Sequence, residues 1–269
     1  MTIDARALDA RLHVASALAR EAGQLARRRF LDRSSFSVGF KGPQDYITEV
    51  DGEVERLIAT RLHAIFPEDG FIGEEGAGRV GKPGAPIWVV DPIDGTSNFA
   101  RGAPHFCVSM GAVIEREVEL GAIFDPMVDE LFAARRGGGA TLNGVKMRVA
   151  DTADLKAASV EVGWNMRFGK DNYLDLLGRV VDTGAAVTRS GSGALGLAYV
   201  AAGRRDGYVE NHMNAWDCVA AIALIREAGG YVSDFLAGEG LRKGNAILAA
   251  APGVKEALWR AAAIEGLGP

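Results

Sequence analysis

The chain has 269 residues and a formal charge of −5 at neutral pH, with 30 Lys and Arg against 35 Asp and Glu. Hydrophobic residues make up 48% and charged residues 24%, a balance that excludes a disordered segment and calls for a packed core. A general nucleic-acid binder carries a basic face, which this acidic composition argues against. Direct contact with nucleic acid is therefore not expected. Glycine is abundant, 35 of 269 residues against a usual share of about 7%, so tight turns and close backbone approaches are expected. The two cysteines, Cys107 and Cys218, lack CxxC spacing and read as reduced, buried thiols. The charged opening MTIDARALDAR is unlike a signal peptide, and no apolar run is long enough to span a membrane. A soluble, cytoplasmic protein is the expectation.

In chain order, apolar residues recur from Leu8 through Leu12, Ala15, Leu18, Ala19, Ala22 and Leu25, the period of a helix that ends near Arg27-Arg28-Arg29. After a loop, Val50, Val54, Leu57, Ile58, Leu62 and Ile65 mark a second helix stopped by Pro67. Two helices thus precede the sheet. Ile87-Trp88-Val89-Val90 reads as a strand buried on both faces that ends abruptly at Asp91-Pro92. Strands over 107–114, 118–124 and 130–134 read as a meander. The Gly-rich connector 135–144 carries the hairpin turn Asn143-Gly144; a phosphate-cradling loop is the weaker reading, because no GK[ST] follows it.

Beyond residue 150 strands are expected at 158–162, 186–188, 207–210, near Tyr231 and at 246–250. Helices are expected over 171–181, 192–202 and 215–228, the last closed by Gly229-Gly230, with another from Gly253. Alternating helices and strands without a linker predict one layered α/β domain over 1–269, softly divided near 150 into halves 1–150 and 151–269.

The chemistry concentrates in Asp91-Pro92-Ile93-Asp94-Gly95-Thr96-Ser97-Asn98-Phe99. Two carboxylates three residues apart at the end of a buried strand, with the Ile93 carbonyl between them, offer hard oxygen ligands for Mg²⁺ or Mn²⁺. Gly95-Thr96-Ser97 reads as the first turn of a short helix whose free N–H groups face an anion. The competing reading is an Asx-turn in which both aspartates cap backbone. Gly73-Glu74-Glu75-Gly76 places adjacent carboxylates at a second strand end, although alone it reads as a solvated turn. Asp217 opens an apolar helix, where it also suits the helix dipole. Three acidic element ends together favour a divalent-metal site.

These segments resemble the inositol monophosphatase family of lithium-sensitive, Mg²⁺-dependent phosphomonoesterases. DPIDGTSNF, the upstream FIGEEG and the downstream AWDCVAA match its signature elements. Supporting matches are Glu21-Ala22-Gly23, the Lys41, Asp45, Thr48, Asp51 spacing, GGGATLNG, and EAGG at 227–230. The resemblance runs over roughly residues 10–255. It implies an α/β/α/β/α five-layer sandwich of the inositol monophosphatase and fructose-1,6-bisphosphatase type, and a homodimer.

The resemblance also implies roles. Glu74, Asp91 and the Ile93 carbonyl would hold one Mg²⁺; Asp91, Asp94 and Asp217 a second; Glu74 a third, weaker one. Thr96 and Asp51 would orient and deprotonate the attacking water, with Glu74 counted in the catalytic set. The amides of Gly95 and Thr96 would take the phosphate, with Lys41 and Glu75 in the surrounding shell. Asp94, Gly191, Gly193 and Glu210 would line the alcohol side. The stretch from Arg189 to Ala194 is one residue shorter than in many members, with Gly193 where Ala is common, and 163–167 has no firm match. Trp164, within it, reads as a core or interface residue rather than a stacking one.

The implied activity is Mg²⁺-dependent hydrolysis of a small polyol or sugar phosphate, most simply myo-inositol 1-phosphate. Histidinol phosphate, fructose 1,6-bisphosphate and adenosine 3′,5′-bisphosphate are the alternatives on the same metal core. A reading from another class is an additional regulatory role bound to transcription machinery.

Overall fold

The structure, a computed structural model, describes residues 3–42, 45–164 and 169–264. Helix α1 (Ala5–Leu31) starts a turn earlier than its apolar period predicts, because Asp4 accepts the Ala7 N–H at 2.7 Å and caps it. It also runs through the arginines, since Phe30 is buried beyond them. The expected loop that follows holds a hairpin, β1 (Val38–Gly42) and β2 (Asp45–Thr48). Its sequence shows no buried stripe, because Val38 and Phe40 are exposed; a local pairing of Phe40 with Tyr46, rings 4.8 Å apart, marks its register instead. Helix α2 (Glu49–Ile65) opens on a capping box in which Thr48 and Asp51 satisfy each other's backbone.

The first large sheet comprises β3 (Gly70–Gly73), β4 (Gly78–Arg79), β5 (Ile87–Asp94), β6 (Cys107–Ile114), β7 (Glu117–Asp125), β8 (Glu130–Arg135), β9 (Gly139–Leu142) and β10 (Val145–Lys146), in the order β10-β9-β8-β7-β6-β5-β3-β4. The predicted meander is β6 to β8. The connector after it is more ordered than expected: β9 and β10 flank Asn143-Gly144, both at positive φ as a two-residue hairpin turn demands. Strand β5 does not stop at Asp91. It continues to Asp94 across a register shift between the two aspartates, a bulge that accommodates Pro92, which has no N–H for the ladder. Helix α3 (Thr96–Arg101) follows at once.

The second sheet comprises β11 (Ser159–Val162), β12 (Ala186–Thr188), β13 (Gly207–Met213), β14 (Tyr231–Val232) and β15 (Asn245–Ala250), in the order β12-β11-β13-β15-β14. Between its strands lie α4 (Lys170–Asp182), α5 (Gly193–Ala201), α6 (Ala215–Glu227) and the short α7 (Gly240–Lys243), which sequence analysis did not predict; α8 (Lys255–Ala262) closes the described chain.

Three apolar clusters order the layers. Helices α1 and α2 cover the outer face of the eight-stranded sheet. Helices α5 and α6 fill the space between the two sheets. Helices α4 and α8 cover the far face of the five-stranded sheet. The result is the expected α/β/α/β/α sandwich. Helix α6, rich in alanine, lies close against β6 and β7 because glycine faces it there. A Cβ on Gly121 would fall 2.0 Å from the Ala220 carbonyl oxygen, and one on Gly111 2.6 Å from Val219. This close seating sets the height at which the first turn of α6 presents Asp217.

Candidate active site

Three structural ends meet between the sheets: the bulged end of β5, the start of α6 and the turn after β3. Carboxylate oxygens of Asp91, Asp94 and Asp217 all lie within 4.8 Å of one another. Glu74, from the turn after β3, reaches hydrogen-bonding contact with Asp91. The metal and capping readings of these aspartates are both realised. Asp91 accepts the Ile93 N–H at 2.9 Å, and Asp217 accepts the Asn214 N–H at 3.2 Å as part of a capping box. Asp94 takes the first turn of α5, accepting from the Gly193 N–H at 3.2 Å, the Ala194 N–H at 2.9 Å and the Ser192 hydroxyl. Local hydrogen bonds thus fix each carboxylate while it still faces the cluster.

Burial raises the proton affinity of Asp91, Asp94 and Asp217. Asp91 stands well above the usual carboxylate range, pushed by burial and then by Glu74, Asp94 and Asp217. Asp94 is raised because burial outweighs the donors from Ser192, Ala194 and Gly193. Asp217 is pushed up to about 7, by burial first and Asp94 second. Three acids held this close and this dry oppose one another's ionisation, a strain that a divalent cation relieves. An all-oxygen donor set fits Mg²⁺.

Beside the cluster, the Thr96 hydroxyl lies 3.2 Å from Asp51 Oδ1 and 3.0 Å from the Ile93 carbonyl oxygen. The other Asp51 oxygen accepts from Thr48, both N–H at 2.8 Å and hydroxyl at 2.6 Å. Asp51 is fully buried and pushed up to about 6, burial dominating, with Glu75 adding to the rise and the Thr48 and Thr96 hydrogen bonds opposing it. Gly95 adopts a left-handed conformation and sits at the N-cap of α3. The backbone of Lys41 belongs to β1, but its side chain, like that of Asp45, lies outside the described residues.

A cavity of about 180 Å³ opens next to Asp94 and Asp217 and brings together the expected Gly191, Gly193 and Glu210. Glu210 is buried and accepts the Tyr208 hydroxyl at 2.6 Å. Burial pushes it up to about 8, while the Tyr208 hydrogen bond and Arg189 pull the other way. Trp164, read as a core or interface residue, lines this cavity and is half-buried, which corrects the core part of that reading; residues 165–167 of the unmatched segment lie outside the described residues.

Several contributors escaped sequence analysis. Glu55, buried on α2, accepts the Glu75 N–H and the Ala77 N–H, each at 2.9 Å, and so folds the turn that carries Glu74. Its signal was a charge directly beside Val54 on the apolar face. Ser192, which holds Asp94, gave no signal of its own, whereas Tyr208, which holds Glu210, stands two residues before it on β13, on the same strand face, a spacing that could have found it. The Gly-rich connector is not a phosphate cradle: its Gly137 and Gly139 N–H groups donate to Glu227 at 2.8 and 2.7 Å, tying the connector to the end of α6.

Fold and site together define a class, a five-layer α/β protein that gathers hard oxygen ligands between its two sheets. The chain belongs to the inositol monophosphatase family, whose profile matches residues 7–266. It is 42% identical over 217 residues to an inositol-1-monophosphatase of Rhizobium meliloti (strain 1021), covering 80% of this chain and 81% of that one. It is 38% identical over 250 residues to the Nus factor SuhB of Haemophilus influenzae, covering 92% and 94%. Among solved structures, the extragenic suppressor protein suhB from Bartonella henselae aligns with a TM-score of 0.88 at 36% identity, over 96% of this chain and 100% of that one. Membership supports a phosphatase, in a family that generally uses Mg²⁺ and acts on phosphorylated substrates. Among the described residues, no helix is long and apolar enough to cross a membrane.

Proposed function

We propose that the protein is a Mg²⁺-dependent phosphomonoesterase acting on a small polyol or sugar phosphate, most simply myo-inositol 1-phosphate. The observation that carries this reading is the convergence of Asp91, Asp94 and Asp217 within 4.8 Å, beside a cavity lined by Glu210. In this assignment Glu74, Asp91 and the Ile93 carbonyl would hold one Mg²⁺, Asp91, Asp94 and Asp217 a second, and Glu74 a third. When bound, Mg²⁺ supplies the positive charge that neutralises the phosphate and lowers the pKa of the attacking water.

The chain's own groups do the rest. Thr96 accepts the proton of the attacking water as its hydroxyl donates to Asp51 Oδ1, and Asp51, with a pKa of about 6, is matched to proton acceptance near neutral pH. The Gly95 and Thr96 N–H groups stand at the start of α3, where helix geometry leaves donors without intrahelical partners, and take the phosphate oxygens. Glu210, oriented by Tyr208, meets the hydroxyls of the alcohol, which Asp94, Gly191 and Gly193 flank. A homodimer and inhibition by Li⁺ belong to the same reading.

Phosphate release from inositol 1-phosphate, histidinol phosphate, fructose 1,6-bisphosphate and adenosine 3′,5′-bisphosphate, with and without Mg²⁺ and Li⁺, tests it. The expected result is Mg²⁺-dependent, Li⁺-inhibited turnover that is highest on inositol 1-phosphate. A higher rate on one of the other three would transfer the assignment to that substrate, and no release from any would refute it.

The similarity to Nus factor SuhB proteins favours a second, additional role alongside transcription machinery. Co-purification with RNA polymerase is its expected result; a clean pull-down beside robust turnover would remove it.

A further inference from the structure

Trp164 follows β11 at the end that meets the cavity. Strand β11 pairs with β13 through Val162 and Val209, and the Gly163 N–H extends the pairing by donating to the Val209 carbonyl at 2.9 Å. This carries the chain directly past Glu210. A Cβ on Gly163 would fall 2.0 Å from Glu210 Oε2 and 2.5 Å from the Tyr208 hydroxyl, so glycine is required there for the carboxylate to lie against the strand end. The next residue is thereby placed beside Glu210. Trp164 is half-buried and lines the same cavity as Asp94, Glu210 and Asp217. Its ring is packed edge-to-face on Tyr173 of α4, centroids 4.7 Å apart at 70°, which fixes it ahead of any ligand.

The cavity wall is otherwise mostly polar. Carboxylates there accept hydroxyl hydrogens but offer nothing to C–H groups. A ring-shaped polyol carries hydroxyls around its rim and C–H bonds on its faces, so it needs both kinds of wall. An open-chain polyol presents such a face only by ordering several torsions, at an entropic cost. We propose that Trp164 is a specificity-determining residue of this site, whose indole takes the C–H face of a cyclic polyol or sugar phosphate while Glu210 takes its hydroxyls. The inference rests on the phosphatase reading above and adds the discrimination of cyclic from open-chain monoesters.

The test compares wild type with Trp164→Ala, Trp164→Leu and Trp164→Phe on myo-inositol 1-phosphate and on glycerol 2-phosphate, an open-chain monoester. The ratio of kcat/KM for the cyclic over the open-chain substrate falls about tenfold in Trp164→Ala and Trp164→Leu, the range of an aromatic contact. The loss appears in KM for inositol 1-phosphate, and Trp164→Phe retains most of the ratio. An unchanged ratio, or equal losses on both substrates, would overturn the proposal. Where Trp164→Ala fails to fold, Leu against Phe, similar in bulk and differing in the ring, carries the comparison. If wild type hydrolyses neither substrate with Mg²⁺, the phosphatase reading fails by itself. The stacking is then read from tryptophan emission on titration with inositol 1-phosphate: a change present in wild type and lost in Trp164→Phe supports it, and emission changes equal in the two proteins contradict it.

Discussion

At the scale of single residues, the site is a set of carboxylates that each serve two masters. Asp94 ties the end of β5 to the first turn of α5 through three donors and still faces Asp91 and Asp217. Asp94→Asn keeps the shape and one acceptor but loses the charge. Phosphate release is expected to fall about 100-fold or more while circular dichroism stays that of the folded protein; wild-type turnover would remove Asp94 from the metal set. Thr96→Ala breaks the link between the attacking water and Asp51, and kcat is expected to fall about 100-fold, the lower range for lost proton transfer. Steady-state kinetics at saturating Mg²⁺ measures it, and an unchanged kcat would exclude the relay. The aspartates were legible in the sequence because charge at the end of an apolar strand is costly without a purpose. Ser192 was not, since its partner Asp94 lies 98 residues away and only the fold brings them together; Tyr208 was overlooked although it stands two residues before Glu210 on one strand, a spacing that puts both on the same face.

At the scale of elements, the positions of α5 and α6 matter most, because their first turns bring Ser192 and Asp217 to the end of β5. Helix α6 reaches its seat only because β6 and β7 present glycines. Gly121→Ala would drive a methyl group into the Ala220 carbonyl, and a destabilisation of about 1–3 kcal/mol is expected, with weaker Mg²⁺ binding as α6 is displaced. Denaturant unfolding and Mg²⁺ titration by calorimetry measure the two effects. Normal stability would show that the sheet and helix can separate at no cost. Helices with a clear apolar period and buried strands were readable in advance. The β1–β2 hairpin was not, because exposed Phe40 and Val38 carry no burial pattern, and neither was the extension of β5 through Pro92, where a bulge overrides the usual strand-breaking effect of proline.

At the scale of the whole molecule, two sheets and three helical layers enclose a concentration of acid that the net charge of −5 only hints at. Five-layer order was legible through family resemblance; the alternation of elements alone predicted no more than layered α/β. The enclosed acid has a thermodynamic consequence. Asp51, Asp217 and Glu210 have folded-state pKa values of about 6, 7 and 8, above those of the unfolded chain, so their protonation favours folding. Their contribution is complete below about pH 4, and is lost as pH rises through the folded values. Metal-free protein is therefore expected to melt at lower temperature at pH 8 than at pH 6. Mg²⁺ at a fixed concentration 100 times its dissociation constant at pH 6 should restore about 2.7 kcal/mol there, a rise of about 5–10 °C, and more at pH 8, where fewer protons compete and the ion binds more tightly. Scanning calorimetry at both pH values checks this, and a Mg²⁺ effect that is absent or greater at pH 6 would contradict it. The most direct test of the central assignment is a Mg²⁺ titration of phosphate release from myo-inositol 1-phosphate by wild type and Asp217→Asn in parallel. The expected result is no release without Mg²⁺, saturable activation of wild type, and a variant about 100-fold slower or worse that needs far more Mg²⁺. Release independent of Mg²⁺, or superimposable curves for the two proteins, would contradict it.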